Sequence, residues 1–181
     1  MAEIDNDLIL KASEGDMSAF EGIYRLTSGF VYNVAFRLTN NPKDAEEITQ
    51  DVFIKIYKNL KAFRFSSSFK TWVYRIAVNT AINFKKREAA EKNKRVDYES
   101  TLNSEAVDKG KDYASESLVK FLLDKLSPEH RACIVLKEIQ GLSYEEISNV
   151  LRININTVRS RLKRAREKLL TLRKEVVENE V

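Results

Sequence analysis

The stretch LSYEEISNVLRININTVRSRLKRAREKLLTLRK, Leu142 to Lys174, decides the fold. Ser143 with Glu146 three residues on forms a capping box, which opens a short helix carrying Ile147, Val150 and Leu151. A turn at Arg152-Ile153 follows, and Asn154 can cap a long helix from Ile155 to about Val177. Two helices joined by a tight turn, the second of them basic, make a helix-turn-helix. Arg152 to Lys174 holds nine basic residues against Glu167 alone, a local charge of +8. Such a stripe neutralises phosphates with release of counterions, so its expected partner is a nucleic acid.

Working outward, two more helices complete this unit. One spans about Ser115 to Lys125, and Ser127-Pro128-Glu129 opens another that ends near Gly141. Upstream, about Ala90 to Lys111 lose apolar periodicity and read as a flexible linker. Before it, Ser66-Ser67-Ser68 can cap a helix in which Phe69, Trp72, Val73, Ile76, Thr80 and Phe84 share a face, ending in Lys85-Lys86-Arg87. Asn41-Pro42 starts a helix over 42–61 with Ala45, Ile48, Val52, Ile56 and Leu60 as its buried stripe. Asp16 can cap a helix to about Leu38, preceded by a short one from Asp7 to Glu14. The expectation is an all-α protein: a helical domain over 1–90, a linker over 91–113 and a four-helix helix-turn-helix domain over 114–181.

Composition agrees and excludes other classes. Only five glycines and two prolines punctuate 181 residues, too few for a loop-rich β fold. With 43% hydrophobic and 32% charged residues the chain can bury cores and is not disordered. No apolar run is long enough to span a bilayer, and the acidic start MAEIDNDLIL is unlike a signal peptide, so the expected location is the cytoplasm. One cysteine, Cys133, and one histidine, His130, cannot complete a zinc site, and no catalytic constellation, metal or cofactor is expected.

Three segments, in order, resemble the extracytoplasmic-function type of bacterial RNA polymerase sigma factors. DAEEITQDVFIKIYKNL (Asp44 to Leu60) is similar to the family's polymerase-binding helix. SSFKTWVYRIAVNTAINFKKR (Ser67 to Arg87) is similar to its promoter-melting, -10-reading helix, and Leu126 to Leu169 to its -35-reading domain. Two departures stand out: Arg152 and Phe65 occupy places where relatives often have glycine.

The resemblance implies a specificity subunit that binds core RNA polymerase through its clamp helices and flap, places its domains on the -35 duplex and the -10 single strand, and leaves catalysis to the polymerase. For the -35 element it implies contacts from Arg159, Ser160, Lys163 and Arg164, which share one side of the last helix; the helix N-terminus around Thr157 can meet a phosphate with its free amides, and Arg to guanine is the commonest specific base contact. Arg161, Arg166 and Arg152 can contact phosphate or pair within the molecule. For the -10 strand the candidates are Phe63, Arg64, Phe65, Phe69, Lys70, Tyr74, Arg75 and Asn79, since unpaired bases stack on aromatics while cations follow the backbone. Trp72 shares the apolar stripe and is read as core, while Phe69 can equally belong to the core or stack on a base. Glu47, Gln50 and Asp51 are the expected polymerase contacts, and an anti-sigma factor is an implied inhibitor. Two other readings are a dimeric helix-turn-helix regulator, which leaves the aromatic and basic first domain without a purpose, and a sigma mimic that titrates an anti-sigma factor, which has no need of a +8 helix.

Overall fold

The computed structural model describes residues 4–99 and 115–178, and every regular element among them is helical. The helices are α1 (Asn6–Ser13), α2 (Met17–Thr39), α3 (Pro42–Asn59), α4 (Phe69–Glu99), α5 (Ser115–Asp124), α6 (Pro128–Ile134), α7 (Tyr144–Leu151) and α8 (Ile155–Glu178). A short 3₁₀ turn, Leu60–Ala62, follows α3, and a π turn, Val135–Ile139, continues α6. Residues 100–114, most of the expected linker, lie outside the described residues. The helix α4 runs to Glu99, beyond the point where the apolar repeat stops, so helix and apolar face do not end together.

Local chemistry starts α2, α3, α6, α7 and α8 where the sequence predicts. The Asp16 carboxylate accepts from the Ser18 and Ala19 amides, and Asn41 Oδ1 from those of Lys43 and Asp44, filling donors that a first helical turn leaves unpaired. The capping box closes with Glu146 N to Ser143 Oγ at 3.1 Å and Ser143 N to Glu146 Oε2 at 2.7 Å. Ser127 caps α6, and Asn154 Oδ1 takes the Asn156 amide at 2.8 Å to start α8.

In the first domain α2 lies between α1, α3 and α4. Ile23, Val31, Val34 and Ala35 of α2 meet Ile48, Val52 and Ile56 of α3 and Val73, Ala77, Val78 and Ala81 of α4, all fully buried. Each buried Ile or Val contributes about 1.5–3 kcal/mol relative to exposure. In the second domain Leu136, Ile147, Val150, Val158, Leu162, Ala165 and Cys133 are buried, and they join the buried residues of the first domain in one continuous core.

The domains touch. The α4 helix packs on α6 and α7, and α2 packs on α6 and the π turn. Arg131 of α6, only 5% exposed, donates its Nε–H to the Arg37 carbonyl near the end of α2 (2.9 Å) and pairs through Nη1 with Asp124 (2.5 Å). Asp124 also accepts from Asn40 Nδ2 at 2.6 Å. Asn40 ends α2 in the left-handed conformation (φ 58°), which asparagine tolerates better than most residues. Lys86 and Glu129 add an ion pair at 2.6 Å.

Candidate nucleic-acid interface

Helix α8 is fixed from beneath by Val158, Leu162 and Ala165, and this sets which side faces solvent. Arg159, Ser160, Lys163 and Arg164 are all exposed on that side, with Thr157 half-buried at the first turn. Their internal ties are weak: Arg159 Nη1 reaches Asn156 Oδ1 at 3.2 Å, and Lys163 lies 3.9 Å from Glu167 with 79% of its side chain exposed. An exposed i,i+4 pair of this kind contributes about 0.3–0.5 kcal/mol and yields readily to a phosphate or a base.

The other two arginines of the -35 set behave differently. Arg166 donates twice to Glu138 Oε1, at 3.2 and 2.6 Å, and hydrogen bonds to Glu138 and Tyr144 raise its pKa. Arg161 is half-buried against α6, where it lies in the surroundings of Glu129, His130 and Cys133. Burial pushes the Cys133 thiol up to about 11 despite that guanidinium. Burial, together with Arg161 and Arg164, lowers the pKa of His130, which favours the neutral imidazole. Of the two alternatives open for Arg161 and Arg166, the structure gives both an intramolecular environment.

The second cluster lies between α3 and α4. Phe63, Phe65, Phe69 and Trp72 form a contiguous aromatic group, with Phe63 centroids 4.8, 5.4 and 5.2 Å from those of the other three. Phe69 is 6% exposed and forms the floor of this group; Trp72 is half-buried and Phe65 is 43% exposed at its outer edge. Phe65 has φ 54°, a conformation that a bulky residue adopts only under strain of about 1–3 kcal/mol. Arg64 and Lys70 flank the aromatics in solvent. Asn79, exposed one face along α4, lines an open cavity of about 380 Å³ with Lys55, Trp72, Arg75 and Arg152. Three cations and no carboxylate line that cavity.

Tyr74 and Arg75 of the same set are engaged by the other domain. Tyr74 is 3% exposed, packs edge-on against Phe30 and donates its hydroxyl proton to Gln140 Oε1 at 2.9 Å. Burial, with the Glu146 carboxylate adding to it, pushes its pKa up to about 12. Arg75 donates Nε–H and Nη2–H to the Asn149 carbonyl at 3.2 and 3.0 Å, while burial and the Arg152 charge lower its pKa. Arg152 sits at the helix-turn-helix turn with φ 53° and ψ 47°, so the glycine-like place in the sequence is a left-handed one. The sequence reading missed Arg131, Asp124, Gln140 and Asn149; the one available signal was a lone arginine at the head of the apolar run Ala132 to Leu136.

On α3, Glu47 and Gln50 are exposed and Asp51 half-buried, opposite the core stripe. Ile54, at 51% exposure, and Tyr57, at 50%, continue the same surface. Among the described residues no group of acidic, histidine or cysteine side chains could hold a metal ion, and no helix is long and apolar enough to cross a membrane.

Residues 23–91 match the family model for sigma-70 region 2, and residues 118–169 match that for sigma-70 region 4. The chain belongs to the sigma-70 family, in its extracytoplasmic-function group. It is 34% identical to the sigma-E factor of Escherichia coli K12 over 174 residues, covering 90% of this chain and 91% of the relative. It is 32% identical to the sigma-H factor of Pseudomonas aeruginosa over 179 residues, with 91% of each covered. The solved structure of the sigma factor RpoE with the anti-sigma factor NepR from Bartonella quintana superimposes with a TM-score of 0.65 at 25% identity, covering 86% of this chain and 96% of that one. This sigma factor therefore places region 2 on α2 to α4 and region 4 on α5 to α8.

Proposed function

We propose that this sigma factor divides promoter reading between two surfaces. Thr157, Arg159, Ser160, Lys163 and Arg164 meet the -35 duplex, with α8 in the major groove and its first turn against a phosphate. The loop Phe63 to Ser68, with Arg64, Lys70, Tyr74, Arg75 and Asn79, captures unpaired bases of the -10 element, and Phe69 supports the loop from beneath. Glu47, Gln50 and Asp51 on α3 meet the clamp helices of core polymerase, and region 4 meets the flap. Residues 1–90 and 114–181 form the two working domains, joined by 91–113. Tethering raises the effective concentration of each at its element, so two weak contacts act as one strong one.

The protein itself performs no catalysis; it selects where the polymerase starts, and it works in the cytoplasm with the chromosome. Its likeness to a sigma factor solved with an anti-sigma factor supports a dedicated protein inhibitor. The observation that carries the reading is the face of α8, where Arg159, Lys163 and Arg164 stand exposed beside buried Val158, Leu162 and Ala165.

The test is transcription from a pool of genomic fragments by purified core polymerase, with and without this protein, followed by mapping of transcript 5′ ends. The expected result is a set of protein-dependent starts that share a two-part upstream motif. Starts without such a motif, or none at all, would sink the reading.

A further inference from the structure

We propose that the cationic cavity between α3, α4 and the turn of the helix-turn-helix binds a free nucleotide carrying two or more phosphates. The site goes beyond the function proposed above; only its distinction from the -10 strand rests on that reading.

Three elements build the walls. On α4, Trp72, Arg75, Ile76, Asn79 and Asn83 follow one another at helical spacing and share one face. On α3, Lys55 and Asn59 lie one turn apart, and Arg152 enters from the turn between α7 and α8. The space measures about 380 Å³, within the range of small-molecule sites.

The charges here are oriented but not cancelled. Lys55 Nζ donates to Thr80 Oγ1 at 3.0 Å, and Arg75 donates to the Asn149 carbonyl at 3.2 and 3.0 Å. Both acceptors are neutral oxygens, and an ammonium or a guanidinium keeps further N–H donors beyond such bonds. Among the described residues no carboxylate lines the cavity, so the positive potential of Lys55, Arg75 and Arg152 adds up within one concavity. Burial and the Arg152 charge lower the pKa of Arg75, and an anion between the two arginines would offset that repulsion. Arg152 also holds φ 53°, where a glycine would sit without strain, so a strained backbone position delivers the third cation.

The lining selects the ligand. Arginine forks and a lysine point charge match phosphate oxygens. Trp72, packed against Phe63 and Phe69 with centroids 5.2 and 5.5 Å away, gives a rigid surface on which a base can stack. The Asn79 and Asn83 amides offer donors and acceptors to a base edge or a sugar. A DNA strand carries a single charge per nucleotide, whereas a di- or triphosphate gathers several in the space of one. Nor can a -10 strand use Arg152 while region 4 occupies the -35 duplex, so the full set of cations serves a ligand of the free protein.

Trp72 is the only tryptophan of the chain, so its fluorescence reports on this cavity directly. The full-length protein is titrated with ATP, GTP, adenosine and inorganic tripolyphosphate. ATP or GTP should change the emission saturably, and adenosine and tripolyphosphate should each bind at least about tenfold more weakly. Arg152→Gly, which relaxes the backbone, and Lys55→Gln, which keeps a donor for Thr80, should each weaken the nucleotide at least about tenfold through loss of a charge-assisted hydrogen bond. Lys58→Gln, on the same helix but outside the cavity, should leave its binding unchanged. No saturable change with either nucleotide, adenosine or tripolyphosphate binding as well as ATP, or undiminished binding in either cavity variant would overturn the proposal. A single-stranded oligodeoxynucleotide without terminal phosphates separates the two sources of phosphate: a loss under Arg152→Gly as large as that of ATP would give the cavity to the DNA strand and overturn the proposal too. Failure of the promoter-mapping experiment would remove the -10 reading and leave the nucleotide site standing, because the titration uses neither polymerase nor promoter.

Discussion

The two surfaces proposed to read DNA are built on opposite plans. On α8 the cations stand in solvent over a buried apolar stripe, need no rearrangement and carry no evident strain. Along α4 the working groups are partly buried, partly bonded to the other domain, and edged by Phe65 in a left-handed conformation. The difference follows from the tasks. A duplex offers its edges to a rigid helix, whereas an unpaired strand must be drawn out and held, which calls for aromatic floor, flanking charge and a strained loop.

Breaking the α8 plan from beneath should have the largest effect. Leu162→Ala empties a fully buried site and should cost about 2–5 kcal/mol of stability, measured by urea unfolding, with loss of duplex binding because the stripe no longer fixes the reading face. Removing a reader is next: Arg164→Ala should weaken -35 duplex binding by about 1–3 kcal/mol while leaving polymerase binding intact, and equal loss of both would show that α8 has been misassigned. On the other surface, Phe65→Ala should reduce promoter opening by about 1–3 kcal/mol per base stacked, with duplex affinity unchanged. Arg152→Gly should stabilise the protein by about 1 kcal/mol, since it relieves both the left-handed backbone and the repulsion of Arg75; a fall in melting temperature would contradict this. Smallest is Gly29→Ala, at a helical position with nothing within 4 Å of an added Cβ, expected to add about 0.5–1 kcal/mol.

Those features of the fold that depend on neighbours in sequence were legible in it. Asp16, Asn41, Ser127, Ser143 and Asn154 all cap where they should, because a cap is decided within three residues. The solvent face of α8 was legible for the same reason, as helical spacing alone separates Arg159, Ser160, Lys163 and Arg164 from Val158, Leu162 and Ala165. Two left-handed positions were visible only as substitutions, Arg152 and Phe65 standing where relatives often carry glycine. Hidden were the contacts that span the chain: Arg131 to Arg37 joins residues 94 apart, Arg75 to Asn149 joins residues 74 apart, and neither leaves a periodic trace. The π turn was hidden too, since Val135 to Ile139 read as ordinary helix and the widened turn shows only in bonds such as Gln140 N to Val135 O. Gly22 and Gly29 are lesser cases: a Cβ at Gly22 would meet Leu8 at 3.4 Å, an ordinary van der Waals contact, one at Gly29 would meet nothing, and the structure gives no reason for either glycine.

The contrast between the α8 face and the α4 face reduces to one comparison. From a promoter mapped with this sigma factor, the -35 duplex and the single-stranded -10 segment are offered separately to the polymerase-bound protein and to its Arg164→Ala and Phe65→Ala variants. The account predicts that Arg164→Ala weakens the duplex contact alone and Phe65→Ala the single-strand contact alone. Equal weakening of both contacts by either variant would contradict it.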